Sequence, residues 1–418
     1  MVRSTPRARG TARAITAAFA LGLGLRAILG QALPVEPRWD GVLFERAAAQ
    51  LAEGRGLTQA IYDPERRGGD LSTAFYPPGW PAVLSLVDRA GGSRRIDLLL
   101  QALLGALVIP LAARFAGAVA GHLAARRAAW LVALWPGGWL VCASWLGEPL
   151  FTLALALALA PLVGPRGART SRGALSATLL GVAAYVRPTA LVIAPLALAA
   201  RAWGTPRRPR WRRIALALAL APLALLPLAP WLARNAERHG APALTTSTGA
   251  NLYVGTLGAR YGRIAPALDC APGTRELVRD ACRRERALAR IASEPGPWLL
   301  LGAHKTLHTF AYETTPAYLL EQALGAPAGT LRPPALALAA LSSAYWLALA
   351  GLALVSRGRA GPRRVVAASV LGVAALHFAF FGGDRYHLPL VPLVAALAAA
   401  ALSGRRVGAR RARSRALR

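Results

Sequence analysis

The side chains in this sequence that are placed to do chemistry fall into one set of carboxylates and cations. Asp40 stands in Arg38-Trp39-Asp40-Gly41, directly ahead of an amphipathic stretch. Glu148 stands in Ser144-Trp145-Leu146-Gly147-Glu148-Pro149 and is the only acid between Asp97 and Glu237. Arginines occur beside prolines and aromatics at Arg187-Pro188, at Pro230-Trp231-Leu232-Ala233-Arg234-Asn235, and at Asp384-Arg385-Tyr386-His387-Leu388-Pro389. Lys305, the only lysine, lies between His304 and His308. A carboxylate can take the proton of a hydroxyl nucleophile or steer it, and guanidinium forks suit phosphate oxygens. Asp40 and Glu148 are therefore the catalytic candidates. Arg187, Arg234, Lys305, Arg385, Tyr386 and His387 are the candidates for holding a phosphate. Transfer from a phosphate-linked donor needs a base for the incoming hydroxyl and positive charge for the departing phosphate. It needs no general acid, because the phosphate of a phosphodiester donor leaves without being protonated. Glycosidases, which expel a poor leaving group, need two carboxylates.

Each of these residues also has a plainer reading. Asp40 suits a helix N-cap, and Glu148 suits the first turn of a helix begun by Pro149. Any of the arginines could be snorkelling from a helix end. The histidines read as interfacial polar residues rather than metal ligands. No P-loop, HExxH, paired CxxC or DxD occurs, so soluble nucleotide-sugar or ATP chemistry has no visible site. Gly22-x-Gly24-x-x-Ala27 fits a dinucleotide pattern but follows no strand. No cofactor is implied, and a divalent metal stays open without a ligand set to hold it.

The elements that position these residues are membrane helices. The chain has 418 residues, 55% hydrophobic and only 17% charged, against about 25% charged for a soluble domain. Apolar runs rich in Ala and Leu recur and alternate with Arg clusters, the pattern of transmembrane helices. A soluble enzyme and a disordered basic protein are both excluded. The net charge of +31 does not mark a nucleic-acid binder, because of where the charges sit. The Arg-rich segments 1–13, 126–127, 164–172, 201–213, 356–364 and 404–418 contain none of the 19 acids. Under the positive-inside rule these segments are cytoplasmic and the acid-bearing ones face outward.

The expected fold is an all-α polytopic bundle of about ten spans, roughly 14–33, 96–117, 127–143, 149–164, 173–186, 188–202, 212–232, 331–355, 364–381 and 387–403. Both termini, 1–13 and 404–418, are then cytoplasmic tails in the plasma (inner) membrane. The first span could instead be a signal peptide, although its apolar stretch is longer than usual for one. The block 173–202 has basic flanks on both sides, so it crosses twice, turning at Arg187-Pro188. Two outer loops, about 34–95 and 233–330, are too long to be mere turns, so the chemistry is expected on the outer face. Within the first, 41–53 forms an interfacial amphipathic helix. Tyr76-Pro77-Pro78-Gly79-Trp80-Pro81 forms a rigid turn leading into a short apolar stretch at 82–87. In the second, 273–292 forms a polar helix, and 297–312 is re-entrant or interfacial. Cys270 and Cys282 are either bridged, as an outer compartment permits, or two free thiols. Cys142 lies inside a span and packs.

The order of these landmarks resembles that of the GT-C membrane glycosyltransferases, which include the protein O-mannosyltransferases and the lipid A aminoarabinose transferase. The landmarks are Asp40, the Tyr76–Pro81 turn, Glu148, Tyr185-Val186-Arg187-Pro188-Thr189, the Pro230–Asn235 segment, Asn251-Leu252-Tyr253 and the Asp384–Pro389 segment. They span roughly residues 14 to 403. The resemblance implies an outer-face enzyme that uses a polyprenyl-phosphate-linked sugar. It makes Asp40 the base or acceptor-orienting group and Glu148 the second acid, with basic residues at helix ends on the lipid phosphate. The Asp-Glu pair of the protein mannosyltransferases is missing, so the acceptor could be a lipid, a glycan or a protein. The rival expectation is a transporter or flippase for an anionic lipid or solute. Transporters tend to show related halves and midplane polar residues, whereas no internal repeat is seen here.

Overall fold

The computed structural model describes residues 6–61, 71–164, 169–203, 209–257, 270, 275–327 and 330–416, with 210 and 405–416 given by backbone alone. The described residues are helices and their connections, apart from one bridge between Thr58 and Ser72. Alanine and leucine, the best helix formers, dominate the apolar long elements, whereas the helix over Glu276–Ser293 is rich in arginine. The chain opens with α1 (Pro6–Ala32), α2 (Asp40–Ala52), α3 (Gly79–Arg89), α4 (Arg94–Ala120) and α5 (His122–Ala133). Next come α6 (Pro136–Leu140), α7 (Glu148–Val163), α8 (Thr170–Ala184), α9 (Thr189–Ala202), α10 (Arg210–Leu218) and α11 (Ala229–His239). α12 (Thr248–Val254), α13 (Glu276–Ser293), α14 (Pro295–Ala311) and α15 (Thr315–Ala323) follow. The chain closes with α16 (Pro333–Leu354), α17 (Ala360–Ala379) and α18 (Val391–Ala416).

Each of the ten predicted apolar segments is helical. Among the described residues, five stretches are long and apolar enough to cross a membrane: Pro6–Ala32, Arg94–Ala120, Trp211–His239, Pro333–Leu354 and Asp384–Gly404. Glu148–Val163 and Thr189–Ala202 are apolar but shorter. Proline explains where the predicted spans break. The segment 127–143 stops at Ala133 and restarts at Pro136, which lacks an N–H and restricts the residue before it. The segment 212–232 passes from α10 through a 3-10 turn at Ala221–Leu225 into α11, which runs on to His239 and ends on Gly240 in the left-handed region.

α18 is the most enclosed of the candidate spans, its apolar stretch 83% buried. It packs on α4, α5 and α16, and α1 also packs on α4 and α5. Ala395, Ala396, Ala398 and Ala399 on α18 are all fully buried, and side chains that small let helix backbones approach closely. A second group joins α7, α8, α9 and α17. The segment between α1 and α4 carries α2 and α3 packed on each other. The predicted 41–53 helix is thus observed as α2, and the turn at 76–81 opens a helix of its own. The predicted helix at 273–292 is α13; residues 273 and 274, at its expected start, lie outside the described residues. Cys270 and Cys282 are joined by a disulfide, whereas Cys142 is a free, buried thiol.

Candidate active site

The Tyr76–Pro81 turn is tied to three other places in the sequence. The Gly79 N–H donates to the Tyr185 carbonyl at 2.8 Å, and a side chain at Gly79 would strike that carbonyl. The turn is thereby seated on the α8–α9 connection that carries Arg187. The Trp80 indole N–H donates to the Trp145 carbonyl at 2.8 Å, tying the same turn to the segment that ends at Glu148. The Tyr76 hydroxyl donates to Asp40 Oδ1 at 2.9 Å. Gly41 lets the start of α2 lie against Ser144 and Trp145, where a Cβ would meet the Ser144 carbonyl at 3.1 Å. One rigid turn therefore sets the spacing of Asp40, Glu148 and Arg187.

Both carboxylates open helices, and each follows a strained tryptophan. Asp40 is the first residue of α2 and Glu148 the first of α7. Trp39 and Trp145 have φ of 50° and 51°, a region that bulky residues rarely occupy and that costs about 1–3 kcal/mol each. The capping reading of Asp40 is not met, because Trp39 holds the N-cap position and Asp40 is the first helical residue. It accepts instead from Tyr76 and from Arg385 Nη2 at 2.8 Å. Glu148 is 1% exposed and is bonded through Oε1 to Arg187. Arg385 Nε lies 3.9 Å from the same oxygen. The Tyr386 ring sits beside both guanidiniums, 5.2 Å from that of Arg385 and 5.3 Å from that of Arg187. His377 stacks on Tyr386 at 4.2 Å. Burial would raise the Asp40 carboxyl, but the adjacent Arg385, with Tyr76 and Arg187, holds it below its ordinary value. Arg187 Nε and Arg385 Nη1 are buried without a partner, so each cation keeps an N–H to offer a further acceptor.

The other sequence-derived candidates lie elsewhere. Arg234 falls inside α11, stacks over Trp231, and donates to the Thr73 and Leu57 carbonyls and to Asn235 Oδ1. Lys305 is 2% exposed, and its Nζ donates to the carbonyls of Gly255, Ala379 and Phe380 at 2.7, 3.1 and 2.9 Å. His387 is fully buried, stacked on Trp346, with its ring nitrogens on the Thr309 carbonyl and Glu313 Oε1. These three candidates for the phosphate are engaged by main-chain carbonyls, Asn235 and Glu313, and none is hydrogen-bonded to Asp40, Glu148, Arg187 or Arg385. Sequence reasoning missed Tyr76, Glu313 and His377 as members or supports of the site. Tyr76 was visible within its turn motif; Glu313 sits in no recognisable pattern. Asp384 accepts from Thr314 and Thr315 at the start of α15, which pins the 3-10 turn Asp384–Leu390 that presents Arg385. Among the described residues, no group of three or more His, Cys, Asp or Glu side chains could hold a metal ion.

No protein-family model and no curated protein matches this chain. Solved structures do. The apo oligosaccharyltransferase of Archaeoglobus fulgidus superposes with a TM-score of 0.55 at 14% identity, over 97% of this chain and 52% of that one. Oligosaccharyltransferase AglB of the same organism, in complex with an inhibitory peptide and a dolichol-phosphate, gives 0.51 at 14% identity over the same shares. ArnT from Cupriavidus metallidurans bound to undecaprenyl phosphate gives 0.42 at 15% identity, over 92% of this chain and 77% of that one. The chain spans about half the length of the oligosaccharyltransferases it matches. At such identity the likeness is one of fold alone.

Proposed function

We propose that this protein is an inverting glycosyltransferase that moves a sugar from a polyprenyl-phosphate donor to a hydroxyl of a lipid, glycan or protein acceptor. The reaction belongs on the extracytoplasmic face of the inner membrane, where the acid-free Arg clusters leave both termini inside. The observation that carries the reading is the network of Asp40, Arg385, Glu148 and Arg187, in which both cations retain unpaired buried N–H groups. A charge-assisted hydrogen bond to phosphate is roughly twice as strong as a neutral one, and these are the N–H groups placed to make it. The dolichol-phosphate bound by the similarly folded AglB supports the same donor class.

The acceptor hydroxyl oxygen attacks the anomeric carbon on the face opposite the phosphate. The bond between that carbon and the phosphate oxygen breaks, and the polyprenyl phosphate leaves with one additional negative charge. Arg187 and Arg385 stabilise that growing charge. The hydroxyl proton passes to the Asp40 carboxylate. Arg385 makes Asp40 a weak base, which suits a late proton transfer, once the forming C–O bond has made the hydroxyl acidic. Glu148 holds Arg187 in place and acts as a positioning residue. Release of polyprenyl phosphate from a labelled lipid-linked sugar by the purified protein tests the proposal. Movement of the intact lipid across a vesicle bilayer without cleavage would replace it with the flippase reading.

A further inference from the structure

Arg385 and Tyr386 are flanked by two buried residues with no part in the transfer, Asp384 and His387, and one stretch of chain holds both. That stretch, residues 309–315, is the last turn of α14 and its connection to α15. On the near side, Asp384 Oδ2 accepts from the Thr314 and Thr315 N–H groups and the Thr314 hydroxyl, and Oδ1 accepts from the Thr315 hydroxyl. On the far side, His387 Nδ1 lies 2.6 Å from the Thr309 carbonyl and Nε2 lies 3.1 Å from Glu313 Oε1. A carbonyl only accepts, so Nδ1 carries a proton, and a second proton must lie between Nε2 and Oε1. Glu313 is itself fixed. Its Oε2 accepts from the Trp135 indole N–H at 2.8 Å and from the Ser342 hydroxyl, and a Cβ at Gly137 would strike that oxygen. Its main-chain N–H donates to the Ser343 hydroxyl at 2.9 Å. None of these bonds touches the Arg385 side chain, whose hydrogen-bond partners among the described residues are Asp40 and Tyr386. Glu313 and Asp384 are 0% and 1% exposed. Burying two carboxyl groups to hold one seven-residue turn is an expensive substitute for apolar packing. It is explained if what the turn carries must be placed within about 0.5 Å.

We propose that residues 309–315 are a two-ended clamp on the Asp384–Leu390 turn, with Glu313 and Thr315 as positioning residues for Arg385. Thr315 fixes the backbone just before the arginine and Glu313, through His387, fixes it just after. The guanidinium is then delivered to Asp40 with its Nη1, buried and without a partner, left for a phosphate oxygen. Loss of either end lets the turn shift and carries the guanidinium away from both. The effect on phosphate rests on the proposed transfer reaction, whereas the hold on Asp40 does not.

The test begins with thermal unfolding of the full chain in detergent, for wild type, D40N, E313L and the double variant. If the clamp sets Arg385 on Asp40, D40N lowers the Tm of wild type but lowers that of E313L clearly less, because Arg385 is already displaced there. The same Tm loss in both backgrounds overturns the clamp. Binding of a sugar-free polyprenyl monophosphate is then measured on these preparations. E313L should bind it about tenfold more weakly, a typical size for coupled positions. E313Q should bind nearly as wild type does, since its amide can accept from Trp135 and Ser342 while donating to Nε2. With R385A in place, E313L should lose no further affinity, a result that a merely structural role would not give. Equal fold losses with and without Arg385, or equal affinity in wild type and E313L, overturn the positioning role. T315V is nearly isosteric and withdraws one hydroxyl from Asp384. Should E313L not fold, T315V gives both readings at a smaller size, about threefold in affinity. A coupled Tm cycle in a wild-type protein that binds no polyprenyl phosphate upholds the clamp and removes the transfer reaction instead.

Discussion

Arg187 and Arg385 make a useful contrast with Arg234 and Lys305. All four stand in the sequence near prolines, aromatics or histidines at the ends of apolar segments, and nothing in their spacing separates them. Their partners do. Arg187 and Arg385 pair with carboxylates and keep an N–H unpaired. Arg234 and Lys305 are directed onto main-chain carbonyls, which bear no net charge and belong to the fold. An ion pair beside an unpaired donor can exchange partners when an anion arrives. A cation coordinated by three carbonyls cannot leave without exposing unsatisfied backbone, at about 1–3 kcal/mol for each buried group. Two of these cations are therefore equipped for ligand exchange and two for holding loops together.

The contrast can be broken most decisively at Asp40, the carboxylate bonded to Arg385. Asp40→Asn removes the proposed proton acceptor while nearly keeping the shape. General-base catalysis is typically worth 10²–10⁴-fold, roughly 3–5 kcal/mol of barrier, so transfer should slow at least about a hundredfold with donor binding retained. Measuring transfer and binding on one preparation decides it, and near-normal turnover would move suspicion to Glu148.

A smaller effect separates the two cation groups directly. Arg187→Ala and Arg385→Ala should each weaken donor binding by about 1.5–3 kcal/mol, the worth of a hydrogen bond to a charged group. Arg234→Ala should leave donor affinity unchanged and lower the melting temperature, since it releases the Leu57 and Thr73 carbonyls. Equal losses of affinity at Arg187, Arg385 and Arg234 would erase the distinction. Lys305→Met sharpens the comparison from the structural side. It keeps the length of the side chain but withdraws the donor from three carbonyls, so stability should fall by about 1–3 kcal/mol with no change in donor affinity at saturation of the folded protein.

The smallest expected effect is on pH dependence. In the folded protein Asp40 titrates below its ordinary value, so its pairing stabilises the fold at every pH above the ordinary value of about 3.9. That contribution is lost only as the pH falls through the lowered value. The stability difference between wild type and Asp40→Asn should thus stay constant from neutral pH down to about 5 and shrink below about 4. Denaturant titrations across that range read it; a difference already shrinking near pH 6 would mean that Arg385 does not hold Asp40 down.

How far the sequence reached differs from residue to residue. Asp40 was legible as an acid next to Trp39 ahead of an amphipathic stretch, and Glu148 as the only acid between Asp97 and Glu237; both do open helices. Arg26 carried a signal that went unused, being the only ionisable side chain within the apolar run 14–33. Glu313 had none, since its partners Trp135, Ser342 and His387 are distant in the chain. The breaks in the predicted spans at 134–135 and 219–228 follow from prolines that were in plain view.

Local chemistry is what the sequence by itself determined: which stretches are apolar enough to be helices, where proline and glycine interrupt them, and which few residues can ionise. The charge sorting between segments also belongs there, because composition alone sets it. Partner choice belongs to the tertiary structure. Arg385 meets Asp40 across 345 positions of sequence, and Lys305 meets three carbonyls from two other segments, because the Tyr76–Pro81 turn and the buried face of α18 set the approach of helices that share no local pattern. A cation's desire for an acceptor is the same at every position; which acceptor it finds depends on distances of a few ångströms that only packing fixes.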